Sequence, residues 1–133
     1  MKHTAVLLCL PFMLSACHEN LEERAEREAR EFTEKNCPTP IVNYSRTDSV
    51  TFDKQTKTYT YYCSFWEEMD NASLVSNIHD ELRASLKQQV VNNTEMQTLK
   101  DAQFNFGYVV HSGSNPDEIL FVDTITPREY NRK

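Results

Sequence analysis

Histidine and cysteine are the residue types of this 133-residue chain best suited to chemistry, and their spacing matches no known catalytic or metal-binding pattern. His79, Asp80 and Glu81 fall in a predicted helix, where consecutive side chains point to different faces and do not share one metal ion. His111 stands alone near the end of a predicted strand. The sequence holds no Gly-x-Ser-x-Gly, no His-Glu-x-x-His and only two glycines, too few for a phosphate-binding loop. We therefore predict that the protein is not an enzyme and has no catalytic residue, metal ion or cofactor, with a hidden pair of acid/base carboxylates as the alternative.

The first 17 residues predict export. A short positive start is followed by an apolar run too short to span a bilayer, which needs about 20 residues. The run ends in Leu14-Ser15-Ala16-Cys17, which resembles the lipobox of bacterial lipoproteins. That resemblance implies removal of residues 1–16 as a lipoprotein signal peptide and lipidation of Cys17, for example with palmitate. The alternatives are an ordinary secretory signal or a short membrane helix.

The mature chain, residues 17–133, is long enough for one small domain with one core. In the lipoprotein class Asp after the cysteine retains proteins at the inner membrane; here His18 follows, so the resemblance favours anchoring to the outer membrane. Whether the protein faces the periplasm or the exterior stays open. The full chain has 14 basic and 20 acidic residues, and loss of Lys2 leaves a net charge of −7 (13 − 20). Such an acidic domain is not expected to bind nucleic acid or anionic lipid headgroups by charge.

Two cysteines remain for the folded domain, Cys37 and Cys63. An even pair in an oxidising compartment predicts a disulfide bond, and two buried free thiols are the alternative. The bridge would close a loop of about 27 residues and stabilise the fold by roughly 3.5 kcal/mol on the chain-entropy model. The two cysteines are isolated from each other and from any histidine, so a metal site is not expected.

Two helices are predicted, over residues 18–35 and 74–91, because apolar residues recur there at helical spacing. Their stripes are Leu21, Ala25, Ala29 and Phe32 in the first helix and Ile78, Leu82, Leu86 and Val90 in the second. Residues 94–103 form a predicted connector in which Met96 and Leu99 contact the core. A capping pattern at Thr126, Pro127 and Glu129 predicts a short terminal helix.

Alternating residues predict two strand pairs, 49–53 with 58–65 and 104–112 with 118–126, each joined by a polar turn. The order is helix, hairpin, helix, hairpin. It predicts an α+β fold with a four-stranded antiparallel sheet and two helices packed on one face.

The opposite face of this sheet would carry Tyr62, Val109 and His111. We predict it as a candidate interaction face for a protein or a cell-envelope polymer, unless a loop or the C-terminal segment covers it. Membrane attachment itself would come from the N-terminal lipid.

Taken together, these observations predict a non-catalytic outer-membrane lipoprotein that acts as a binding or structural module of the cell envelope. The alternative is an immunity or inhibitor lipoprotein that neutralises a toxin or hydrolase, because an acidic domain suits a basic target. A small hydrolase is disfavoured by the missing motifs.

Overall fold

Five helices and four strands are formed by residues 19–131, the part of the chain that the structure, a computed structural model, describes. The lipobox, Cys17 and the predicted helix start at residue 18 lie outside the described residues. In chain order the elements are α1 (Leu21–Asn36), β1 (Ser45–Asp53), β2 (Thr58–Phe65), α2 (Ala72–Asn77), α3 (His79–Asn92), α4 (Gln97–Asp101), β3 (Asn105–Ser112), β4 (Ile119–Ile125) and α5 (Pro127–Tyr130). Short 3₁₀ turns at Glu67–Met69 and Thr94–Met96 join some of them.

Helix α1 forms where its apolar stripe predicts it, but Phe32, the last residue of that stripe, is 40% exposed and does not enter the core. The Asn20 side chain accepts a hydrogen bond from the backbone N–H of Glu23 and so caps its first turn. Ala25 and Ala29 are almost fully buried against β1, and their small side chains allow the helix to lie close to the sheet. The helix ends just before Pro38, which cannot continue it.

The strand order is β1-β2-β3-β4, with antiparallel pairing at both edges and parallel pairing between β2 and β3. The α+β class and the four-stranded sheet are confirmed, and the prediction of a wholly antiparallel sheet is wrong. The physical reason is the connection: between β2 and β3 the helices return the chain to the end of the sheet from which β2 started, so β3 runs in the same direction as β2. Alternation along a strand reports which face a residue occupies and carries no information about strand direction.

The predicted second helix is two helices. The chain breaks between α2 and α3 at Ile78, whose φ of −105° and ψ of 17° depart from helical values. Asn71 caps α2 by accepting a hydrogen bond from the backbone of Leu74. The break lets both pieces contribute to one core, through Val75 from α2 and Val90 from α3, each with no exposed surface.

One sheet face, which we call the helix face, carries the core. Its inward side chains are Val50, Phe52, Phe65, Phe106, Tyr108, Val110, Phe121 and Ile125. Helix α1 packs over β1, whereas α2 and α3 pack over β4 at the other edge. This arrangement leaves part of β2 and β3 between the two groups of helices.

The C-terminal helix α5 closes the core from one end. Its predicted cap forms through the Glu129 carboxylate, which accepts hydrogen bonds from the Thr126 N–H at 2.9 Å and from the Thr126 hydroxyl at 3.2 Å. The hydroxyl of the buried Tyr130 donates to the carbonyl oxygens of Phe104 at 2.8 Å and Lys100 at 3.2 Å. The described helices include none that is both long and apolar enough to span a membrane.

Candidate functional site

A groove of about 530 Å³ opens on the helix face, between α3 and the start of β1. Its floor is formed by β2 and β3, the 3₁₀ turns close its ends, and the residues before β1 form the rim opposite α3. The lining side chains are Asn43, Tyr44, Ser45, Thr47, Tyr61, Cys63, Phe65, Met69, Leu82, Leu86, Gln89, Asn93, Met96, Tyr108 and Val110. The volume falls in the range of a ligand-sized site.

Aromatic rings make the floor rigid. Tyr61 and Tyr108 are register partners on the parallel strands, and their rings stack with centroids 5.3 Å apart and planes 12° apart. Burial raises the pKa of both phenols, that of Tyr108 to about 12, so both hydroxyls stay neutral at physiological pH. The floor therefore offers flat apolar area with neutral polar tips, a surface type that is enriched at interfaces.

Helix α3 supplies one wall. Leu82 and Leu86 are one helical turn apart and only partly buried, so their apolar surface faces the groove. Met69 and Met96 close the ends with flexible side chains that can adjust to an occupant.

The opposite rim is held in an uncommon backbone conformation. Asn43 and Tyr44 have φ of 54° and 65°, in the left-handed region that residues other than glycine adopt only when the surroundings require it. Val42 and Ser45 exchange backbone hydrogen bonds across this turn, and the N–H of Trp66 donates to the Tyr44 carbonyl at 2.8 Å. The turn presents Tyr44, 39% exposed, at the mouth of the groove, beside the exposed Val42.

The rim is acidic. The charge of Glu68 and a hydrogen bond to its carboxylate raise the pKa of the Tyr44 hydroxyl, and Glu67 adds to the effect. Both glutamates are exposed. A binding segment with basic residues beside its apolar surface would therefore complement this mouth.

The Cys63 thiol lies in the floor of the groove. Burial raises the pKa of Cys63 above its ordinary value of 9.0, so this side chain is a thiol and a weak nucleophile. Within residues 19–131 no cluster of three or more His, Cys, Asp or Glu could hold a metal ion. What the arrangement can do is bind an apolar surface.

The sequence-predicted interaction face lies on the other side of the sheet. Tyr62 and Val109 are register partners, Val109 pairs in turn with the exposed Val122, and His111 pairs with Ser64 further along β3. Tyr62 and His111 also line a shallower cleft of about 410 Å³. The structure thus brings the three predicted residues onto one face, and their role in binding stays a prediction.

Sequence reasoning missed the groove. The pattern correctly predicts that Tyr61, Cys63 and Phe65 face the helices, but it treats this whole face as covered. The available signal was the run of aromatic residues on this face of β2, Tyr59, Tyr61 and Phe65.

Comparison with known proteins supports the fold. The chain belongs to the family described as Domain of unknown function (DUF8479), which matches residues 20–121. No curated protein matches it in sequence.

Three solved structures are similar in fold. A candidate secreted protein from Pseudomonas aeruginosa superposes with a TM-score of 0.69 at 15% identity, covering 83% of this chain and 92% of that one. The pilotin EpsS of the Vibrio vulnificus type 2 secretion system superposes with a TM-score of 0.63 at 10% identity, covering 85% of this chain and 94% of that one. The type II secretion system pilotin AspS from Vibrio cholerae superposes with a TM-score of 0.59 at 12% identity, covering 82% of this chain and 91% of that one. At these identities the likeness shows the fold.

Proposed function

We propose that this member of the DUF8479 family is a non-catalytic, lipid-anchored protein of the outer membrane with a pilotin-like role, binding an amphipathic helix of a secretion-system partner in the groove on its helix face. The observation that carries the proposal is the aromatic floor, which lies open between α3 and the rim. The lipobox-like sequence that ends at Cys17 supports attachment to the membrane. Two similar folds that are pilotins of type II secretion systems support the kind of partner.

The shape of the groove favours a helix as the occupant. One wall is a helix, the floor is a sheet, and α1 and α3 lie on the same face at opposite edges. A partner helix would extend the existing helical layer and bury its apolar stripe against Tyr61, Tyr108 and Leu86.

The charge of the rim favours basic residues on that helix. Glu67 and Glu68 flank the mouth beside Tyr44, and the mature chain is acidic overall. Opposite charge at the rim would raise the rate of association and select against acidic partners, while the apolar floor would supply most of the affinity.

The test is site-specific photo-crosslinking in the cells that make the protein. A photoreactive amino acid replaces Gln89, which lines the groove, or its neighbour Gln88, which is exposed on the same helix but does not line the groove. We expect the Gln89 variant to capture a secretion-system protein and the Gln88 variant to capture much less of it. A third variant at Val122 reports on the other sheet face.

Two other crosslinking results would contradict this proposal. Capture from Val122 without capture from Gln89 would contradict the groove as the binding site and favour the sequence-predicted face. Capture of a toxin or hydrolase from Gln89 would contradict the pilotin-like role and support the immunity alternative.

A matched pair of substitutions tests the groove by affinity. Leu86→Lys places a charge on the apolar wall, whereas Ser85→Lys places the same charge on the exposed side of α3. For the captured partner we expect Leu86→Lys to weaken binding at least about tenfold, because the ammonium would lose its hydration against the floor. We expect Ser85→Lys to weaken it less than about twofold. Equal effects would contradict the proposal.

The anchor is tested separately. A Cys17→Ser variant is expected to leave the membrane fraction while keeping the groove intact. Membrane fractionation of this variant at the wild-type level would overturn the lipid anchor and leave the groove proposal standing.

A further inference from the structure

The end of α1 and the floor of the groove carry the cysteines of the described chain, Cys37 and Cys63, and the two are not bonded to each other in the structure. We propose that they form a disulfide bond that fastens the end of α1 to β2 across β1. The proposal stands independently of what the groove binds.

Hydrogen bonds hold Cys37 beside β1 from both directions. One turn earlier, the Thr33 hydroxyl donates to the carbonyl of Val50 at 3.0 Å and accepts from its N–H at 2.9 Å. Two residues later, the N–H of Thr39 donates to the carbonyl of Thr47 at 3.0 Å, and the N–H of Thr47 donates to the Thr39 hydroxyl at 3.0 Å. Because Cys37 lies between these two attachment points, its backbone is held alongside the middle of β1.

Cys63 lies on the next strand at the matching height. It is the register partner of Thr47, and its Sγ is 4.0 Å from the Thr47 hydroxyl. It points to the helix face, the same side of the sheet on which α1 packs. The two thiols therefore occupy one side of the sheet, one from the end of α1 and one from the floor.

Their electrostatic surroundings agree with this placement. Burial raises the pKa of both thiols most, and the Asp48 carboxylate raises both further. The two sulfurs thus share one acidic neighbour on β1. The other titratable groups facing Cys63 are Tyr61 and Tyr108, which are neutral.

The bridge would form by thiol–disulfide exchange with a disulfide-bearing oxidant in the compartment to which the protein is exported. One thiolate attacks the oxidant and forms a mixed disulfide, releasing a thiolate of the oxidant. The second thiolate then attacks the mixed disulfide, so the Sγ–Sγ bond forms and the oxidant leaves as a dithiol with the two electrons and two protons. Because both thiol pKa values lie above 9.0, we expect oxidation by glutathione disulfide to be about tenfold faster at pH 8 than at pH 7.

The bond would set the geometry of the groove. The closed loop contains β1 and the rim residues Asn43 and Tyr44, while Cys63 is part of the floor. Linking its ends would hold the rim at a fixed distance from the floor.

Peptide mapping of protein from its native envelope tests the bond. The protein is alkylated with N-ethylmaleimide without reductant and digested with trypsin, which releases residues 36–46 and 58–83 as separate peptides. We expect one disulfide-linked species that reduction splits into two alkylatable peptides. In the Cys37→Ser and Cys63→Ser variants, the remaining cysteine should be alkylated without reduction. Alkylation of both cysteines in the unreduced wild-type protein would overturn the proposal.

A second measurement tests directly whether the two thiols can meet in the folded protein. Purified protein is incubated with glutathione disulfide at pH 8, and hydrogen exchange is followed over residues 39–47. We expect the linked species to form and the amides of Thr39 and Thr47 to exchange about tenfold more slowly than in the double serine variant. Two separate glutathione adducts with no linked species would show that the thiols do not meet, and would equally overturn the proposal.

Discussion

Lys100 is the buried cation of the described chain, and its removal should destabilise the fold strongly. The residue is 7% exposed, and its ammonium donates to the carbonyl oxygens of Val90 at 2.8 Å and Val91 at 3.0 Å. These carbonyls belong to the last turn of α3, where i,i+4 partners are missing and the Asn93 N–H reaches the Val90 carbonyl only at 3.4 Å. Lys100 therefore caps the helix that forms one wall of the groove. The substitution Lys100→Met removes this charge and keeps most of the side-chain volume.

The expected change in the free energy of unfolding is the difference between opposing contributions. A hydrogen bond from a charged group contributes about 1.5–3 kcal/mol, and two are lost. The helix end also loses a favourable charge, worth about 0.3–1 kcal/mol. Against this, the variant no longer has to bury an ammonium, which costs several kcal/mol. We expect a net loss of about 2–3 kcal/mol in the free energy of unfolding, or a fall in Tm of about 10 °C.

Urea unfolding followed by the fluorescence of the single tryptophan, Trp66, measures this loss. The matched control is Lys35→Met, because Lys35 also lies in the last turn of a helix but is exposed. The control should lose less than about 1 kcal/mol, since only the interaction with the helix dipole is removed. If the two variants lose the same amount, or Lys100→Met stays within about 0.5 kcal/mol of wild type, the capping argument is wrong.

Three further predictions concern stability. Arg83 pairs with both Asp123 and Glu129, so Arg83→Met should lower the free energy of unfolding by about 1–2 kcal/mol at pH 7; a change below about 0.3 kcal/mol in urea titrations would contradict this. Burial raises the pKa of Glu129, but hydrogen bonds from Thr126 and Arg83 outweigh it and hold that pKa below 4.5. The stabilisation that the ionised carboxylate contributes is therefore present above pH 4.5 and should be lost as the pH falls further. In urea titrations over this pH range, Arg83→Met should lose less free energy of unfolding than the wild type. A Cβ on Gly113 would lie 2.5 Å from the ring of Trp66, so Gly113→Ala should cost about 1–3 kcal/mol and shift the Trp66 emission, and an unchanged spectrum would refute the contact.

Local patterns predicted the local elements well. The alanine stripe of α1, the strand at residues 58–65 and the capping box of α5 depend on neighbouring residues, and all three form as predicted. Met96 and Leu99 contact the core, again as predicted from the connector. Strand β1 starts four residues earlier than predicted, at Ser45, because hydrogen bonding to β2 extends it through a polar stretch.

The errors share a different origin. The break at Ile78 and the parallel pairing of β2 with β3 depend on how the helices pack across the sheet. The role of Lys100 depends on a contact with residues about ten positions away, which no periodicity reports. The sequence-predicted interaction face was chosen because alternation places Tyr62 and Val109 on the sheet face opposite the helices. The groove lies instead among residues that alternation places on the helix face.

The sequence by itself determined the class of this protein: an α+β domain whose helices share one face of a four-stranded sheet, with an acidic surface and no catalytic motif. These features follow from composition and from periods of two and about 3.6 residues, which are written along the chain. Only the tertiary structure decided the direction of β3, the division of the second helix and the open groove. Each of these depends on where two distant segments leave space between them, and that space is a property of packing in three dimensions.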